Sequence, residues 1–230
     1  AREPAELVIE AGGLLRTVAA CLLGGHPSAR PIHKQIASRW RLNRERTDLV
    51  RAVLVLLADH ELNASTFAVR VVASTGAPLA ACISTGLAAL SGPLHGGATA
   101  LAVALLDEAE QAGDPDSVIA SRLRGGGAIP GFGHPLYPDG DPRAEFILDR
   151  LPADPIRTGL IAAVAAVADQ KPNVDFALAS LSRSYALPQQ SGLVMFAAAR
   201  TAGWIGHAIE QRSEARLIRP RAVYVGVPPG

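Results

Sequence analysis

The chain has 230 residues, with 22 basic and 21 acidic side chains and a formal net charge of +1. This length suits one domain, or a large domain with a small one, and can bury a sizeable core. A charge so close to zero gives no electrostatic argument for binding nucleic acid or an anionic membrane. No apolar run approaches the roughly 18 residues of a membrane span, and the first residues lack the pattern of a signal peptide. We therefore expect no membrane span.

Alanine dominates the apolar composition. The chain has 42 alanines and only 10 aromatic residues, a balance that favours packed helices over a β-sandwich or barrel. The sequence therefore predicts an all-α fold. Cys21 and Cys82, both in apolar surroundings, form neither a disulfide framework nor a zinc motif, which favours a reduced, cytoplasmic setting.

Helix signals recur along the whole chain. Capping residues, apolar periodicity and terminal glycines predict helices over residues 47–58, 65–75, 79–90, 98–112, 142–150, 155–170, 174–185 and 190–212. The helix at 47–58, with Thr47 or Asp48 as its cap, is apolar on nearly every side and is expected to be central. Asp141-Pro142 and Asp154-Pro155 each place an N-cap before a proline at the first helical position.

Residues 31–53 have the rhythm of a helix-turn-helix and carry basic side chains at positions 34, 39, 41, 44, 46 and 51. A DNA-binding domain is usually basic overall, which this chain is not. We interpret the segment as a solvated helix pair on the surface and expect no nucleic-acid partner.

Two clusters of glycine and proline, at 91–97 and 124–143, interrupt the helical pattern. Long irregular loops are uncommon in a helical chain, and binding sites concentrate in them. We expect a large helical domain made of residues 1–97 and 186–230. A small helical domain, residues 98–185, would be inserted between these two parts.

Three histidines and one aspartate are candidates for chemistry. His95 in PLHGG and His134 in GFGHP are flanked by glycines that let backbone or ligand come close, and His60 follows a predicted helix. Together with Asp175 in NVDF, they suit acid–base chemistry near neutral pH. For any one histidine taken alone, a capping or core role is the alternative.

Other chemistries lack their motifs. The sequence contains neither the G-x-S-x-G of a hydrolase nor the H-E-x-x-H of a zinc site. The glycines at 131 and 133 do not form a dinucleotide fingerprint, because no strand precedes them and the third glycine is missing. We predict no metal site and no permanently bound cofactor.

Arginines form the next group of candidates. Arg200 lies within an apolar helical run, where a charge is costly unless it is paired or faces a ligand cavity. The sequence is compatible with two roles for Arg200, a structural ion pair and a contact with a ligand. Arg143 follows a predicted helix start, and Arg219 and Arg221 are either ligand contacts or tail charges.

Six motifs in order along the chain resemble the citrate synthase family, specifically its bacterial type. They are DHELNASTFAVRV (59–71), SGPLHGGATA (91–100), PGFGHPLYPDGDPRA (130–144), PNVDFALA (172–179), AARTAGWIGHAIEQ (198–211) and RLIRPRAVYVG (216–226). The resemblance covers the chain from about Pro31 to Gly226. Members of the family are usually longer, and roughly their N-terminal third has no counterpart here, so we expect a fragment or a trimmed chain, with a short paralogue as the alternative.

This resemblance implies an all-helical homodimer with a large and a small domain and an active site in the cleft. It implies that the co-substrate acetyl-CoA condenses with oxaloacetate through an enol, and that citryl-CoA is then hydrolysed to citrate and CoA. The alternatives are a 2-methylcitrate synthase that uses propionyl-CoA and a non-catalytic regulatory or DNA-binding paralogue.

The resemblance also assigns residues to roles. Asp175 would remove the methyl proton, His95 would hydrogen-bond the thioester oxygen, and His134 would polarise the oxaloacetate carbonyl. The dicarboxylate would be bound by His60, Arg143, Arg200 and, from the neighbouring subunit, Arg219. The CoA adenine would be held by backbone groups of the loop at 125–134, namely those of Gly127, Ala128, Ile129, Gly131 and Gly133.

Overall fold

The computed structural model describes residues 4–226, and within this range it contains eleven α-helices and no β-sheet. The predicted all-α fold is confirmed. The helices are α1 (Pro4–Leu23), α2 (Ile32–Trp40), α3 (Arg44–Leu57), α4 (Ala64–Ser74), α5 (Leu79–Leu90), α6 (Ala98–Ala112), α7 (Pro115–Arg124), α8 (Pro142–Leu148), α9 (Pro155–Ala168), α10 (Val174–Ser184) and α11 (Ser191–Ser213). None of these described helices is long and apolar enough to cross a membrane.

Side-chain caps begin three of the helices around the candidate site, α4, α8 and α10, and they begin α9 as well. Asn63 accepts a hydrogen bond from the backbone of Thr66 at the start of α4, and Asn173 does the same for Asp175 at the start of α10. Asp141 and Asp154 cap α8 and α9, each followed by proline, as predicted. These caps satisfy backbone N–H groups that have no partner within the helix.

Several helix boundaries differ from prediction. Asn43 caps α3, whereas Thr47 lies one turn inside the helix and donates its hydroxyl proton to the Asn43 carbonyl. The helix α9 ends two residues early because Asp169 adopts a left-handed conformation with φ 48°. Helices α1 and α7 had not been predicted.

The helices α2 and α3 form the pair expected from residues 31–53. Ile36 on α2 and Val50 on α3 are fully buried against the rest of the molecule. The basic side chains of Lys34, Arg39 and Arg44 lie on the exposed side.

Three groups of buried apolar side chains hold the helices together. The first joins α2, α3, α8, α10 and α11, the second joins α6, α7, α9 and α10, and the third joins α1, α4, α5 and α11. Helices α10 and α11 each belong to two groups and thereby connect all three. The division into domains at 98 and 185 stays a prediction.

Helix α11 lies unusually close to the turn that follows α3. A Cβ atom added to Gly203 would stand 2.0 Å from the carbonyl oxygen of Ala58, a distance that no side chain tolerates. Glycine is therefore required at this crossing. The contact fixes α11 against the segment that leads into His60.

Candidate active site

A cavity of about 170 Å³ brings together six of the predicted site residues. They come from five separate segments of the chain: His60, His95, His134, Arg143, Asp175 and Arg200. The rest of the lining consists of Asn63, Leu90, Gly96, Thr99, Val174, Leu193 and Phe196. The lining therefore combines apolar side chains with titratable groups.

His60 and His134, which line the cavity, both contact Tyr137. The Nε2 atom of His60 lies 2.9 Å from the Tyr137 hydroxyl, and the His60 and His134 rings are 5.2 Å apart in an edge-on arrangement. Tyr137 had not been predicted. Tyr137 follows His134 by three residues, and this proximity in the sequence could have indicated a place in the site. Its contact with His60, 77 residues away, could not have been inferred from the sequence.

The tautomer of His134 follows from its backbone contact. Its Nδ1 atom accepts a hydrogen bond of 3.1 Å from the N–H of Leu136. In the neutral ring the proton is therefore on Nε2. His134 can thus offer an N–H group as a donor.

His95 is oriented by Ser65. Its Nε2 atom lies 2.8 Å from the Ser65 hydroxyl, which in turn lies 2.9 Å from the side-chain oxygen of Asn63. The Asn63 oxygen can only accept, so the Ser65 hydroxyl donates its proton to Asn63 and accepts from the Nε2–H of His95. In the neutral ring Nδ1 is therefore the unprotonated nitrogen. Ser65 is a second site residue that had not been predicted.

All three histidines have lowered pKa values. For each of them burial is the main cause, since it disfavours the charged imidazolium, and neighbouring arginines add to the effect. Burial, followed by the charge of Arg143, lowers the pKa of His60 to about 4. The three rings are therefore neutral at pH 7, and the positive charge of the cavity belongs to its arginines.

Arg143 is held by a bidentate ion pair. Its Nε and Nη2 atoms donate to the two carboxylate oxygens of Asp141 at 2.9 and 2.7 Å. Asp141 also accepts from the backbone N–H of Val174, and so joins the starts of α8 and α10. Burial acts to raise the pKa of Asp141, but the hydrogen bonds and charge of Arg143 outweigh it and hold this pKa below its usual value. The capping role of Asp141 had been predicted, whereas its ion pair had not.

Arg200 is nearly inaccessible, with 1% of its surface exposed. Its Nε atom donates to the carbonyl oxygen of Leu57 at 2.9 Å, and its guanidinium lies 4.8 Å from the centre of the Phe196 ring. Within the described residues its Nη1 group has no hydrogen-bond partner, and no ion pair joins it to a carboxylate. Burial lowers the pKa of Arg200 to about 10, so it stays cationic at neutral pH. This arrangement favours the ligand contact over the structural ion pair.

Asp175 lies in the first turn of α10 and is partly buried. Burial raises the pKa of its carboxyl group, while a hydrogen bond from Thr99 opposes this effect. The Thr99 hydroxyl donates to Oδ1 at 2.5 Å. A raised pKa makes the carboxylate a stronger base than an ordinary aspartate.

The predicted CoA loop is only partly free to bind a ligand through its backbone. The Gly131 carbonyl accepts from the N–H of Asn173, and the Gly133 N–H donates to the carbonyl of Lys171. Both glycines have positive φ, 84° and 71°, and these bonds fix the loop that carries His134. Gly127 and Ala128 are exposed, and Ile129 is buried. A role for these residues in adenine binding stays a prediction.

Arg219 does not line the cavity. It is exposed in the irregular segment that follows α11, and its predicted place in a neighbouring subunit stays a prediction. Among the described residues, no three histidine, cysteine, aspartate or glutamate side chains are grouped in a way that could hold a metal ion.

Comparisons with known proteins agree on one family. The family model for the C-terminal domain of citrate synthase matches residues 16–221. Citrate synthase 2 of Bacillus subtilis is 38% identical over 183 residues, which cover 75% of this chain and 49% of that protein. The 2-methylcitrate synthase of Shewanella oneidensis is 38% identical over 193 residues, which cover 80% and 52%.

Solved structures give the same result. The citrate synthase of the archaeon Thermoplasma acidophilum, solved with carboxymethyl coenzyme A and oxaloacetate, aligns with a TM-score of 0.78 at 30% identity. The alignment covers 98% of this chain and 66% of that one. The chain spans about half the length of the curated relatives it matches.

Proposed function

Since the chain belongs to the citrate synthase family, we propose that it carries the active site of an acyltransferase that condenses acetyl-CoA with oxaloacetate. The observation that supports this most directly is the cavity where one basic carboxylate, three neutral histidines and two buried arginines meet. A dicarboxylate substrate needs cations, and removal of a proton from a methyl carbon needs a base beside a hydrogen-bond donor.

Oxaloacetate would bind at the end of the cavity that carries Arg143 and Arg200. Each guanidinium offers charge-assisted hydrogen bonds to a carboxylate, and His60 adds a neutral partner. The Nε2–H group of His134 would donate to the ketone oxygen. This polarises the carbonyl carbon that is attacked.

Acetyl-CoA would be activated between Asp175 and His95. Asp175 takes a proton from the methyl carbon, and His95 donates a hydrogen bond to the thioester oxygen as the enol forms. This role requires the Ser65 hydroxyl to turn from Asn63 to Nε2 of His95, so that the proton of His95 is on Nδ1. A neutral imidazole donor is compatible with the lowered pKa of His95.

The carbon that lost the proton then attacks the ketone carbon of oxaloacetate. The Nε2–H of His134 stabilises the alkoxide that forms, and the proton held by Asp175 passes to this oxygen, which restores the carboxylate. The new carbon–carbon bond gives citryl-CoA. Water cleaves its thioester, which yields citrate and the free thiol of CoA. Each step uses groups that line the cavity, with water as the only further reactant.

The proposed assembly is a cytoplasmic homodimer in which Arg219 reaches the dicarboxylate site of the second copy. Its support is the irregular segment after α11, which exposes the apolar side chains of Val223 and Val225. Apolar side chains in such a segment favour contact with another protein surface.

A thiol-release assay tests the proposed function. The purified protein is mixed with acetyl-CoA, and free thiol is measured with and without oxaloacetate. We expect release that depends on oxaloacetate and falls about 10²- to 10⁴-fold in Asp175→Asn, because the amide is no base. Absence of release together with absence of oxaloacetate binding by calorimetry would refute the proposal.

A second candidate, 2-methylcitrate synthase activity, is supported by the relative from Shewanella oneidensis. The reaction is the same, but propionyl-CoA brings one more carbon into a cavity whose apolar lining includes Leu90, Leu193 and Phe196. One methylene changes kcat/KM by about 10- to 200-fold. The same assay with both thioesters identifies the preferred substrate, while oxaloacetate binding without any turnover would indicate a non-catalytic paralogue.

A further inference from the structure

Thr99 is a buried residue that lines the cavity, and no step of the proposed reaction uses it. It lies in the first turn of α6, and its hydroxyl donates to Oδ1 of Asp175 at 2.5 Å. Asp175 lies in the first turn of α10. The hydrogen bond therefore joins the N-terminal ends of two helices at the cavity.

The side chain of Thr99 is fixed by packing as well. A Cβ atom added to Gly192, near the start of α11, would lie only 2.6 Å from the Cγ2 methyl group of Thr99. The methyl group thus occupies the space that a side chain at position 192 would need. Because a β-branched side chain has a single rotatable bond to set, its packed methyl group also sets the direction of its hydroxyl.

The Asp175 carboxylate has one direct partner. Among the described residues, Thr99 is the only group that hydrogen-bonds it, and the bond goes to Oδ1. The backbone N–H of Asp175 is bonded separately to the Asn173 cap at 3.0 Å. Oδ2 is therefore the oxygen left to accept a proton.

We propose that Thr99 is a positioning residue, which holds Oδ1 of Asp175 so that Oδ2 faces the methyl carbon of the acyl-CoA. This inference rests on the proposed function, because it takes Asp175 to be the base. Thr99 acts only through Asp175 and needs no contact with either substrate. The Thr99 hydroxyl is required because it bonds Oδ1 of Asp175, and the packed methyl group fixes the direction of this hydroxyl.

Two substitutions separate the hydroxyl from the methyl group. Thr99→Val keeps the shape and removes the donor, whereas Thr99→Ser keeps the donor. Thr85→Val makes the same change on α5, where the hydroxyl bonds only to the backbone of Ala81. Circular dichroism verifies that all three variants fold, and steady-state kinetics with acetyl-CoA and oxaloacetate follow.

We expect Thr99→Val to lower kcat about tenfold to a hundredfold, the range for loss of a hydrogen bond to a charged group. The KM for oxaloacetate should change little. The acid limb of the pH profile should move to higher pH, because the carboxylate loses the bond that opposes its protonation. Thr99→Ser should retain most of the activity, and Thr85→Val should match the wild type.

Two kinetic results would overturn the inference. One is a Thr99→Val enzyme with wild-type kcat and an unmoved acid limb. The other is a Thr99→Ser enzyme as impaired as Thr99→Val, which would make packing against Gly192 the only contribution.

Carbon-13 NMR of the Asp175 carboxyl, assigned by its loss in Asp175→Asn, gives a readout that does not depend on turnover. Thr99→Val should raise the pKa of this group relative to the wild type. An unchanged titration in an active enzyme would refute the inference while leaving the proposed function intact. An inactive wild-type protein would refute the proposed function, and with it the catalytic role of the pair.

Discussion

Individual residues in the cavity differ in whether they can carry charge. Arg200 stays cationic, while the three histidines of the cavity are kept neutral by burial and by neighbouring arginines. Neutral rings serve as directional donors and acceptors. In the proposed function, the charge that attracts the dicarboxylate comes from arginine, and the hydrogen bonds that activate the two carbonyl groups come from neutral His95 and His134.

Substitution of Arg200 tests the recognition of the dicarboxylate. Arg200→Met should weaken oxaloacetate binding by about 1.5 to 3 kcal/mol, the value of a hydrogen bond to a charged group. The control is Arg212→Met, on the same helix but away from the cavity. Isothermal titration calorimetry measures both, and equal affinities for the two variants would contradict the assigned role.

The lowered pKa values of the three cavity histidines predict how folding stability depends on pH. Their pKa values are lowered in the folded protein, so below about pH 6.5 the unfolded chain takes up protons that the folded chain resists. The free energy of unfolding should therefore fall as the pH drops from 6.5 toward 4.

Urea titrations at pH 7 and pH 5 measure this loss. His60→Gln should reduce the difference between the two pH values, because His60 has a strongly lowered pKa. His26→Gln, on an exposed stretch of chain, is the control. Equal stability at both pH values in the wild type would show that the histidines are not kept neutral by the fold.

At the scale of the elements, the two aspartates that cap helices before a proline differ in their further contacts. Asp154 only caps α9, so Asp154→Ala should cost about 1 kcal/mol. Asp141→Ala also leaves the buried Arg143 without its carboxylate, and breaking a buried ion pair in this way costs about 3 to 5 kcal/mol. Urea denaturation of both variants at pH 7 makes the comparison, and similar losses would mean that the Asp141–Arg143 pair contributes little.

The same local signals explain which elements could be predicted. Asp141-Pro142 and Asp154-Pro155 correctly marked two helices, and Asp114-Pro115 marks α7 in the same way although it had not been used. The caps at Asn43 and Asn63 lie just before their helices. Helix starts depend on bonds between near neighbours, which a sequence displays directly.

The partners within the site could not be predicted in this way. Thr99 and Asp175 are 76 residues apart, and His60 and Tyr137 are 77 apart. Such pairs depend on how helices are aligned against each other, which is decided by packing across several elements. Through the family resemblance, the motifs identified six residues that share one cavity. They did not identify the side chains that orient these residues.

On the scale of the whole molecule, the role of Arg219 can be tested by mixing two inactive variants. A dimer is assembled from one Asp175→Asn copy and one Arg219→Leu copy, and is purified by two different affinity tags. If Arg219 serves the partner's cavity, one site of this dimer has both residues and the other has neither. By this symmetry, about half of the wild-type activity should return.

Activity no higher than that of the two parent dimers would place Arg219 in its own subunit or outside the site. Wild-type copies that carry the same two tags are the control for any effect of the tags. A protein that sediments as a monomer at all concentrations would contradict the proposed assembly directly.

The residues that line the cavity are spread along the chain from His60 to Arg200. This separation in the sequence has a consequence for how the chain folds. Most helices can form from local interactions, but the cavity exists only after chain loops of many tens of residues have closed, and each closure costs entropy. During refolding, helical content should therefore recover before enzymatic turnover does. Turnover then reports completion of the last long-range contacts, such as the crossing of Gly203 over Ala58, and not merely the presence of helices.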